Sequence, residues 1–190
     1  MMGSTMKVDV FELIERMSAL IRSEERKKCS ELGLQSVHLQ VLDYLSRCNR
    51  YSDTPAALTN YLGMTRGTVS QTVLLLEKKG YLKKTVDKID RRKLHLTLLD
   101  AGLLIINASR EADIFKDARA LFNQESYDDY EQAFVGALKA LQKANKGQSF
   151  GLCKTCHYFT ASELGFSCGL TQELLSTNDS EKICQEHIPV

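Results

Sequence analysis

Residues 54–98 read TPAALTNYLGMTRGTVSQTVLLLEKKGYLKKTVDKIDRRKLHLTL, and this stretch contains two helix starts and two helix ends. Thr54 can cap the first helix, and Pro55 follows at the first helical position, where a missing amide is tolerated. Thr65 can cap a second, longer helix that ends at Gly80, and a glycine between the two helices permits a tight turn. The pattern predicts a helix-turn-helix.

The residues after Gly80 have the alternating hydrophobic pattern of β-strands. Apolar residues lie on both sides of the polar turn DKIDRR: Leu82, Val86, Leu94, Leu96 and Leu98. Two such runs around a short polar turn predict a β-hairpin. We therefore expect a mainly α-helical fold with a small β-hairpin wing, a winged helix-turn-helix.

Positive charge is concentrated at this hairpin. From Glu77 to Lys93 there are eight lysines and arginines against three acidic residues, giving +5, whereas the whole chain has 25 basic and 24 acidic residues. Each neutralised phosphate releases counterions, so a basic patch beside a helix-turn-helix predicts double-stranded DNA as a partner. A solvated basic hairpin is the alternative interpretation.

Candidate DNA-binding residues lie on the second helix and on the wing. Val69 and Val73 belong to the inward stripe of that helix, which leaves its other early residues to enter a major groove. These are Arg66, Thr68, Ser70, Gln71 and Thr72. On the wing the candidates are Lys88, Arg91 and Arg92, since arginine donates several hydrogen bonds without losing its charge.

Further amphipathic helices flank the winged helix. The first is predicted within VDVFELIERMSALIRSEERKKC, and a second from about Gln35 to Arg47, with Leu39 off its main apolar face. Asp100 is expected to cap a long helix, and a last helix carries Tyr130, Phe134, Leu138 and Leu141 on one face. The first and last helices expose apolar stripes that one small domain cannot cover, which predicts a homodimer.

The helix-turn-helix, LLEKKGYLKK, DKIDRRKLHL and the following DAG resemble the MarR family of bacterial winged-helix regulators, over residues 8–146. The resemblance implies a transcription regulator, a repressor in our interpretation, with the N- and C-terminal helices packed between subunits. It also implies recognition helices in successive major grooves, a wing arginine in the minor groove and a pocket for a small-molecule effector. The chain departs from the family pattern at Leu98 and Leu99, where Leu-Thr is usual before Gly102.

Four of the six cysteines lie in the last part of the chain. Cys153 and Cys156 have C-x2-C spacing, Cys168 follows, and Cys184 begins a C-x2-H pair with His187. A segment this short buries too little apolar surface to fold alone, so metal binding would supply the missing stability. We expect a metal site of Cys153, Cys156, Cys168 and Cys184, with His187 as an alternative ligand.

The metal itself is left open by the spacing. Zinc is the first expectation, as a structural ion, and an Fe-S cluster is the rival, in which case the cysteine site would be a metal or redox sensor. A disulfide or a redox-active dithiol is a third interpretation, although no thioredoxin-like context surrounds the C-x2-C pair. A small zinc or dithiol enzyme is disfavoured because no nucleophile motif, phosphate loop or open zinc motif is present, so we expect no enzyme.

Two domains are expected, residues 1–147 for DNA binding and dimerisation and residues 148–190 for metal binding. The N-terminal residues lack the apolar run of a signal peptide, and no stretch is long enough to span a membrane. We therefore expect a cytoplasmic protein, where thiols are kept reduced and clustered cysteines more often hold metal than disulfides. The operator sequence, the effector and the direction of regulation have no signature in the sequence.

Overall fold

The computed structural model of the 190-residue chain describes residues 9–110, 128–144, 150–162 and 165–190. Within residues 128–144 it describes the side chains of residues 133–141. The long helix predicted to start at Asp100 includes residues beyond 110, and these lie outside the described residues. The side chain of Tyr130 is outside them too.

The first part of the chain is a winged helix flanked by further helices. Helices α1 (Val10–Glu31) and α2 (Ser36–Arg47) precede the helix-turn-helix pair α3 (Pro55–Leu62) and α4 (Arg66–Lys78). The wing is the antiparallel hairpin of β1 (Leu82–Val86) and β2 (Leu94–Leu98), in which Leu82 lies opposite Leu98. Helices α5 (Asp100–Arg110) and α6 (Asp128–Ala144) follow. The predicted mainly α-helical fold with a hairpin wing is confirmed.

The helix boundaries of the helix-turn-helix follow the capping residues. The Thr54 hydroxyl accepts a hydrogen bond from the Ala57 amide at 3.2 Å, and the Thr65 hydroxyl accepts one from the Thr68 amide at 3.1 Å. Gly63 ends α3 with a positive φ of 63°, a conformation that glycine adopts without a steric penalty. These capping predictions are confirmed. Caps can be predicted from the sequence because they depend on neighbouring residues along the chain.

The start of α5 differs from the prediction. Asp100 is the first residue of the helix rather than its cap, and the Leu99 carbonyl accepts the first helical hydrogen bond, from Leu103 at 2.9 Å. Gly102 in this first turn passes close to the backbone after α4, where an added Cβ would lie 2.3 Å from the Tyr81 carbonyl oxygen. Glycine at this position thus allows α5 to pack against the base of the wing.

Helix α2 lies at the centre of the core, in contact with α1, α3, α4, α5 and β2. Leu39, predicted to lie off the main apolar face, is nevertheless only 6% exposed. A helix with neighbours on several sides buries more than one stripe. Tyr44, fully buried on α2, donates its hydroxyl hydrogen to the Ser52 carbonyl oxygen at 2.8 Å, which ties the helix to the segment that follows it.

The cysteine-rich part of the chain, the appendage (residues 150–190), consists of two small sheets. In the first, β3 (Gly151–Leu152) pairs with β7 (Ile183–Cys184). The second contains three antiparallel strands in chain order, β4 (Phe159–Ser162), β5 (Gly165–Cys168) and β6 (Glu173–Leu175). Single helical turns at Cys153–Thr155 and Thr177–Ser180 complete it.

The appendage packs into the core of the winged helix. Ile183 is buried within the same apolar cluster as the side chains of α2, α3 and α4, and Phe150 packs against that cluster. The Phe150 ring lies 5.1 Å from the ring of Tyr61 and 6.4 Å from the ring of Tyr44, between ring centroids. The appendage thus contributes Ile183 and Phe150 to the apolar core of the winged helix.

Two helices leave apolar side chains uncovered. Helix α1 exposes Phe11, Leu13, Met17, Leu20 and Ile21, and α6 exposes Phe134, Val135, Leu138 and Leu141. The apolar stripes predicted for the first and last helices are thus exposed on the single chain. Among the helices in the described residues, none combines the length and the apolar character that a bilayer crossing needs.

Candidate nucleic-acid interface and thiol cavity

Helix α4 presents a polar face at its N-terminal end. Arg66, Thr68, Ser70 and Gln71 are exposed there, as the sequence predicts, and Val69 is buried on the opposite side. An exposed, short-side-chain polar face at the start of a recognition helix is suited to the edges of base pairs. The contacts of these four residues with bases remain a prediction.

Thr72 does not belong to the exposed face. Its side chain is 5% exposed, and its hydroxyl donates a hydrogen bond to the Thr68 carbonyl oxygen at 2.9 Å. Thr72 lies three residues after Val69 and four before Leu76, which places it on the buried stripe of a helix with 3.6 residues per turn. The prediction that Thr72 enters the groove is therefore wrong.

The acidic residues of the wing motif build its turn. The Asp87 carboxylate accepts hydrogen bonds from the amides of Ile89 at 2.8 Å and Asp90 at 2.6 Å. The Asp90 carboxylate in turn accepts one from the Arg92 amide at 3.1 Å. These backbone hydrogen bonds hold the pKa of Asp87 below its usual value. The loop is thus folded before any DNA is bound.

The basic side chains of the turn differ in whether they form an ion pair. Arg92 is paired with Asp90 at 3.1 Å, whereas Arg91 and Lys88 make no ion pair with any residue that the structure describes. Ile89, which lies between Lys88 and Arg91 in the sequence, is 97% exposed at the tip of the turn. Because polar residues surround it in the sequence, this apolar side chain was not among the predicted DNA-binding residues. Arg91 is therefore the arginine of the wing that is available to a phosphate or a minor groove.

His95 connects the wing to the segment before α3. Its Nδ1 lies 2.6 Å from the Asp53 carboxylate, and its Nε2 lies 3.2 Å from that of Asp87. The hydrogen bond to Asp53 raises the pKa of His95. Burial raises the pKa of Asp53, and His95 opposes that shift. The sequence of β2 gives no sign of this role for His95, because a partner 42 residues away leaves no local signature.

The segment Asn49–Asp53 between α2 and α3, the hinge segment, is bonded to the appendage. The Asn49 amide donates to the Ile183 carbonyl at 2.9 Å, and the Gln185 amide donates to the Ser52 hydroxyl at 2.9 Å. The Gln185 side chain donates to the Tyr51 carbonyl at 3.0 Å. Exposed polar side chains add to the contact: Arg50 and Tyr51 both bond the Glu173 carboxylate.

All four cysteines of the appendage line one small cavity. Cys153, Cys156, Cys168 and Cys184 surround a volume of about 30 Å³, and Asn49 and Tyr51 of the hinge segment complete its wall. Burial raises the pKa of Cys153, and together with a smaller contribution from the neighbouring cysteines it brings that pKa to about 11. The four predicted cysteines thus line one cavity, and their role as metal ligands stays a prediction. All six cysteines of the chain are free thiols.

Three of the four sulfurs accept hydrogen bonds from backbone amides. Cys156 accepts one from Ile188 at 3.5 Å. Burial raises the pKa of Cys168, but the amides of Thr171 and Leu170 outweigh it, so that this pKa is lowered. Burial raises the pKa of Cys184, against hydrogen bonds from the Asn49 side chain and the Glu186 amide. Amide donors favour the thiolate form, which is the form that binds metals.

A formed metal centre is not present in the described residues, where no three His, Cys, Asp or Glu side chains are arranged to hold an ion. The expected metal site is therefore not confirmed, although its four cysteines share one cavity. Neutral thiols do not attract one another, so a bound ion would be needed to bring the four sulfurs to a common point.

His187, the alternative ligand, lies outside the thiol cavity. It is 4% exposed, and its Nε2 lies 2.9 Å from the Thr155 hydroxyl. Its ring covers Gly151 so closely that an added Cβ there would lie 2.5 Å from it. The ring thus packs β3 against the residues that follow Cys184, a structural role that the C-x2-H spacing could not distinguish from metal binding.

Replacing His95 by glutamine should lower the free energy of unfolding more at about pH 6 than at about pH 8.5. The stabilisation from a raised pKa is complete below the ordinary histidine value of about 6.5 and is lost as the pH rises through the raised value. Urea unfolding at both pH values measures the difference. The control is His38→Gln, since burial lowers the pKa of His38 and its loss should be larger at the higher pH. Equal losses for His95→Gln at both pH values would contradict the prediction.

Comparison with known proteins matches residues 32–93 to the model of the MarR family. The HTH-type transcriptional regulator PapX of Escherichia coli is 26% identical over 97 residues, which are 51% of this chain and 59% of PapX. PecS of Dickeya dadantii (strain 3937), another HTH-type transcriptional regulator, is 27% identical over 119 residues, 61% of this chain and 72% of PecS.

Among solved structures, MepR of S. aureus in its DNA-binding conformation matches with a TM-score of 0.61 at 21% identity, covering 72% of this chain and 99% of MepR. At that identity the likeness establishes the fold. The chain spans about three fifths of the length of PapX, and the family match ends at residue 93, well before the cysteines of the appendage. Residues 32–93 of this chain are thus similar to the MarR family, and the likeness to solved structures shows a winged-helix fold.

Proposed function

We propose that this protein is a MarR-family transcriptional regulator that binds double-stranded DNA through α4 and the wing. The observation that carries the proposal is the position of the exposed polar end of α4 beside a prefolded, positively charged wing, since α4 packs directly on β1. A helix in the major groove and a basic loop along the adjacent backbone or minor groove is a recurrent mode of DNA binding. We expect no catalytic activity.

The two elements have different tasks on the DNA. Arg66, Thr68, Ser70 and Gln71 on α4 would read base edges, while Lys88 and Arg91 would position the wing on phosphates or in the minor groove. The appendage takes no part in this contact, because its two lysines against five acidic residues give −3, which phosphates repel. Ile89 at the wing tip could wedge against a minor groove, as apolar residues do in other DNA-binding proteins.

The active form in our proposal is a homodimer, joined through α1 and α6. Both helices expose continuous apolar stripes on the single chain, and a monomeric soluble protein rarely leaves such surfaces open to water. A second copy of the same chain can cover both stripes in a closed, two-fold arrangement. Two recognition helices would then contact successive major grooves, and a dimer occupying a promoter in this way would act as a repressor. A small-molecule effector between these helices remains part of the proposal.

The third part of the proposal is a structural zinc ion held by Cys153, Cys156, Cys168 and Cys184. Four thiolates give the closed coordination of structural zinc sites, and the amide donors to three of the sulfurs favour the required charge. The cavity of about 30 Å³ suits one ion, since a water-sized atom needs roughly 10–15 Å³. An Fe-S cluster held by the same cysteines is the alternative, and its iron, sulfide and visible absorption would distinguish it from zinc.

Arg91→Ala should weaken binding to DNA from the gene's own promoter by about tenfold, equivalent to about 1.4 kcal/mol. The loss of one phosphate or groove contact should also reduce the salt dependence of binding by about one unit of slope. Mobility shifts over a range of salt concentrations measure both. The control is Lys154→Ala, which removes a lysine paired with Glu181 on the appendage and should bind normally. Absence of binding by the unmodified protein even at low salt would contradict the proposed function.

Leu138→Glu on α6 should convert the dimer to a monomer, because a charge would be buried against the apolar stripe of the second copy. Light scattering after size-exclusion chromatography gives the mass of the particle directly. Leu174→Glu is the matched control, since Leu174 is equally apolar and lies exposed on the appendage. A Leu138→Glu protein that keeps the mass of the unmodified protein would exclude α6 as the dimer interface.

Protein purified without oxygen should contain zinc at near one ion per chain and should be colourless. Cys168→Ser should lose the zinc, whereas Cys29→Ala, a change to a buried cysteine of α1, should retain it. His187→Gln should also retain it, since His187 lies outside the thiol cavity. Elemental analysis and an absorption spectrum test all three variants. Iron with sulfide and visible absorption would reject zinc, and loss of zinc in His187→Gln would reject an all-cysteine site.

A further inference from the structure

We propose that the metal in the four-cysteine site clamps the appendage onto the hinge segment, so that metal occupancy sets the geometry of the helix-turn-helix and of the wing. The inference rests on the proposed function and specifies how the metal site acts on it. It would make the zinc ion a determinant of DNA affinity, acting through residues that do not themselves touch DNA.

The walls of the thiol cavity come from both parts of the molecule. The cysteines belong to the appendage, but Asn49 and Tyr51 of the hinge segment line the same cavity. The Asn49 side chain also makes a hydrogen bond to the Cys184 thiol. An ion among the sulfurs would therefore stabilise a contact between two regions of the chain, and not only the fold of the appendage.

A ladder of hydrogen bonds surrounds this contact. From the residues on either side of Cys184, the Ile183 carbonyl accepts from the Asn49 amide and the Gln185 amide donates to the Ser52 hydroxyl. At the far edge, Arg50 pairs with Glu173 at 2.7 Å. These bonds can form only while Cys184 and its neighbours keep their places, and the metal ligands would hold them there.

The hinge segment contacts both DNA-binding elements, so that its position affects the positions of the wing and of the helix-turn-helix. Its last residue, Asp53, accepts a hydrogen bond from the Leu96 amide of β2 at 2.7 Å, and its carboxylate bonds His95 of the same strand. The next residue, Thr54, caps α3. A chain of hydrogen bonds thus connects the residues beside Cys184 to the wing by way of Ser52 and Asp53.

Loss of the metal should release the appendage first. Its strands are two to four residues long, and much of its surface is exposed, so that little apolar burial beyond that of Ile183 and Phe150 opposes opening. Without the appendage the hinge segment loses its partners at Asn49, Tyr51 and Ser52. Because coupling between two binding sites is reciprocal, DNA should in turn strengthen zinc binding by the same factor.

The test compares the full-length protein loaded with zinc, the same protein after removal of zinc by a chelator under reducing conditions, and the protein after zinc alone is added back. We expect zinc removal to weaken DNA binding by about tenfold and zinc to restore it. In hydrogen exchange, the Asn49 and Leu96 amides should exchange faster without zinc, whereas the Val69 amide, bonded within α4, should not change. Unchanged DNA affinity and unchanged exchange at Leu96 would overturn the clamp.

A second variant tests the coupling without touching a cysteine. Gln185→Ala removes the hydrogen bond to the Tyr51 carbonyl, and it should keep its zinc yet bind DNA more weakly than the unmodified protein. Glu181→Ala is the control, since it breaks an ion pair confined to the appendage. Equal DNA binding by both variants would count against the clamp. If the zinc-loaded protein binds no DNA, the proposed function fails, while the exchange of Leu96 still decides whether the clamp exists.

Discussion

The hinge segment Asn49–Asp53 is held from three directions, and the arrangement of the molecule depends on it. From the core, Tyr44 donates to the Ser52 carbonyl. From the appendage, the Ile183 carbonyl and the Gln185 amide bond Asn49 and Ser52. From the wing, the Leu96 amide bonds the Asp53 carbonyl. A short connection between helices is usually exposed and variable, but here its polar groups are nearly all used, and so α3 starts from a defined position.

The helix-turn-helix could be predicted from the sequence because its boundaries are local. A threonine cap or a glycine with positive φ acts on the three or four residues beside it, so Thr54, Gly63 and Thr65 are informative without any knowledge of the rest. Burial is not local in this sense. The burial of Leu39, off the main apolar face of α2, depends on neighbours from several other elements. The burial of Thr72, by contrast, follows from its spacing to Val69 and Leu76, which the prediction overlooked.

In the candidate site, too, features that depend on residues close together in the sequence could be predicted, whereas contacts between distant residues could not. Spacing was enough to bring the four cysteines of the appendage to one cavity, and charge was enough to locate the wing. The bridge from His95 to Asp53 joins residues 42 positions apart, and the bond from Gln185 to Ser52 joins residues 133 apart. Neither contact has a periodic or compositional signature in the sequence. The position of the appendage against the hinge segment therefore could not be predicted from a single sequence.

The side chain of Ile183 lies in the apolar core of the winged helix, and Phe150 packs beside it on Tyr44 and Tyr61. During synthesis the ribosome produces the helix-turn-helix and the wing long before these residues emerge. Until these residues emerge, part of the apolar core of the nascent winged helix is exposed to water. Folding is then completed by contacts of high sequence separation, which form slowly. Premature termination before Phe150 would leave a winged helix with an incomplete core that is prone to aggregation rather than a smaller folded protein.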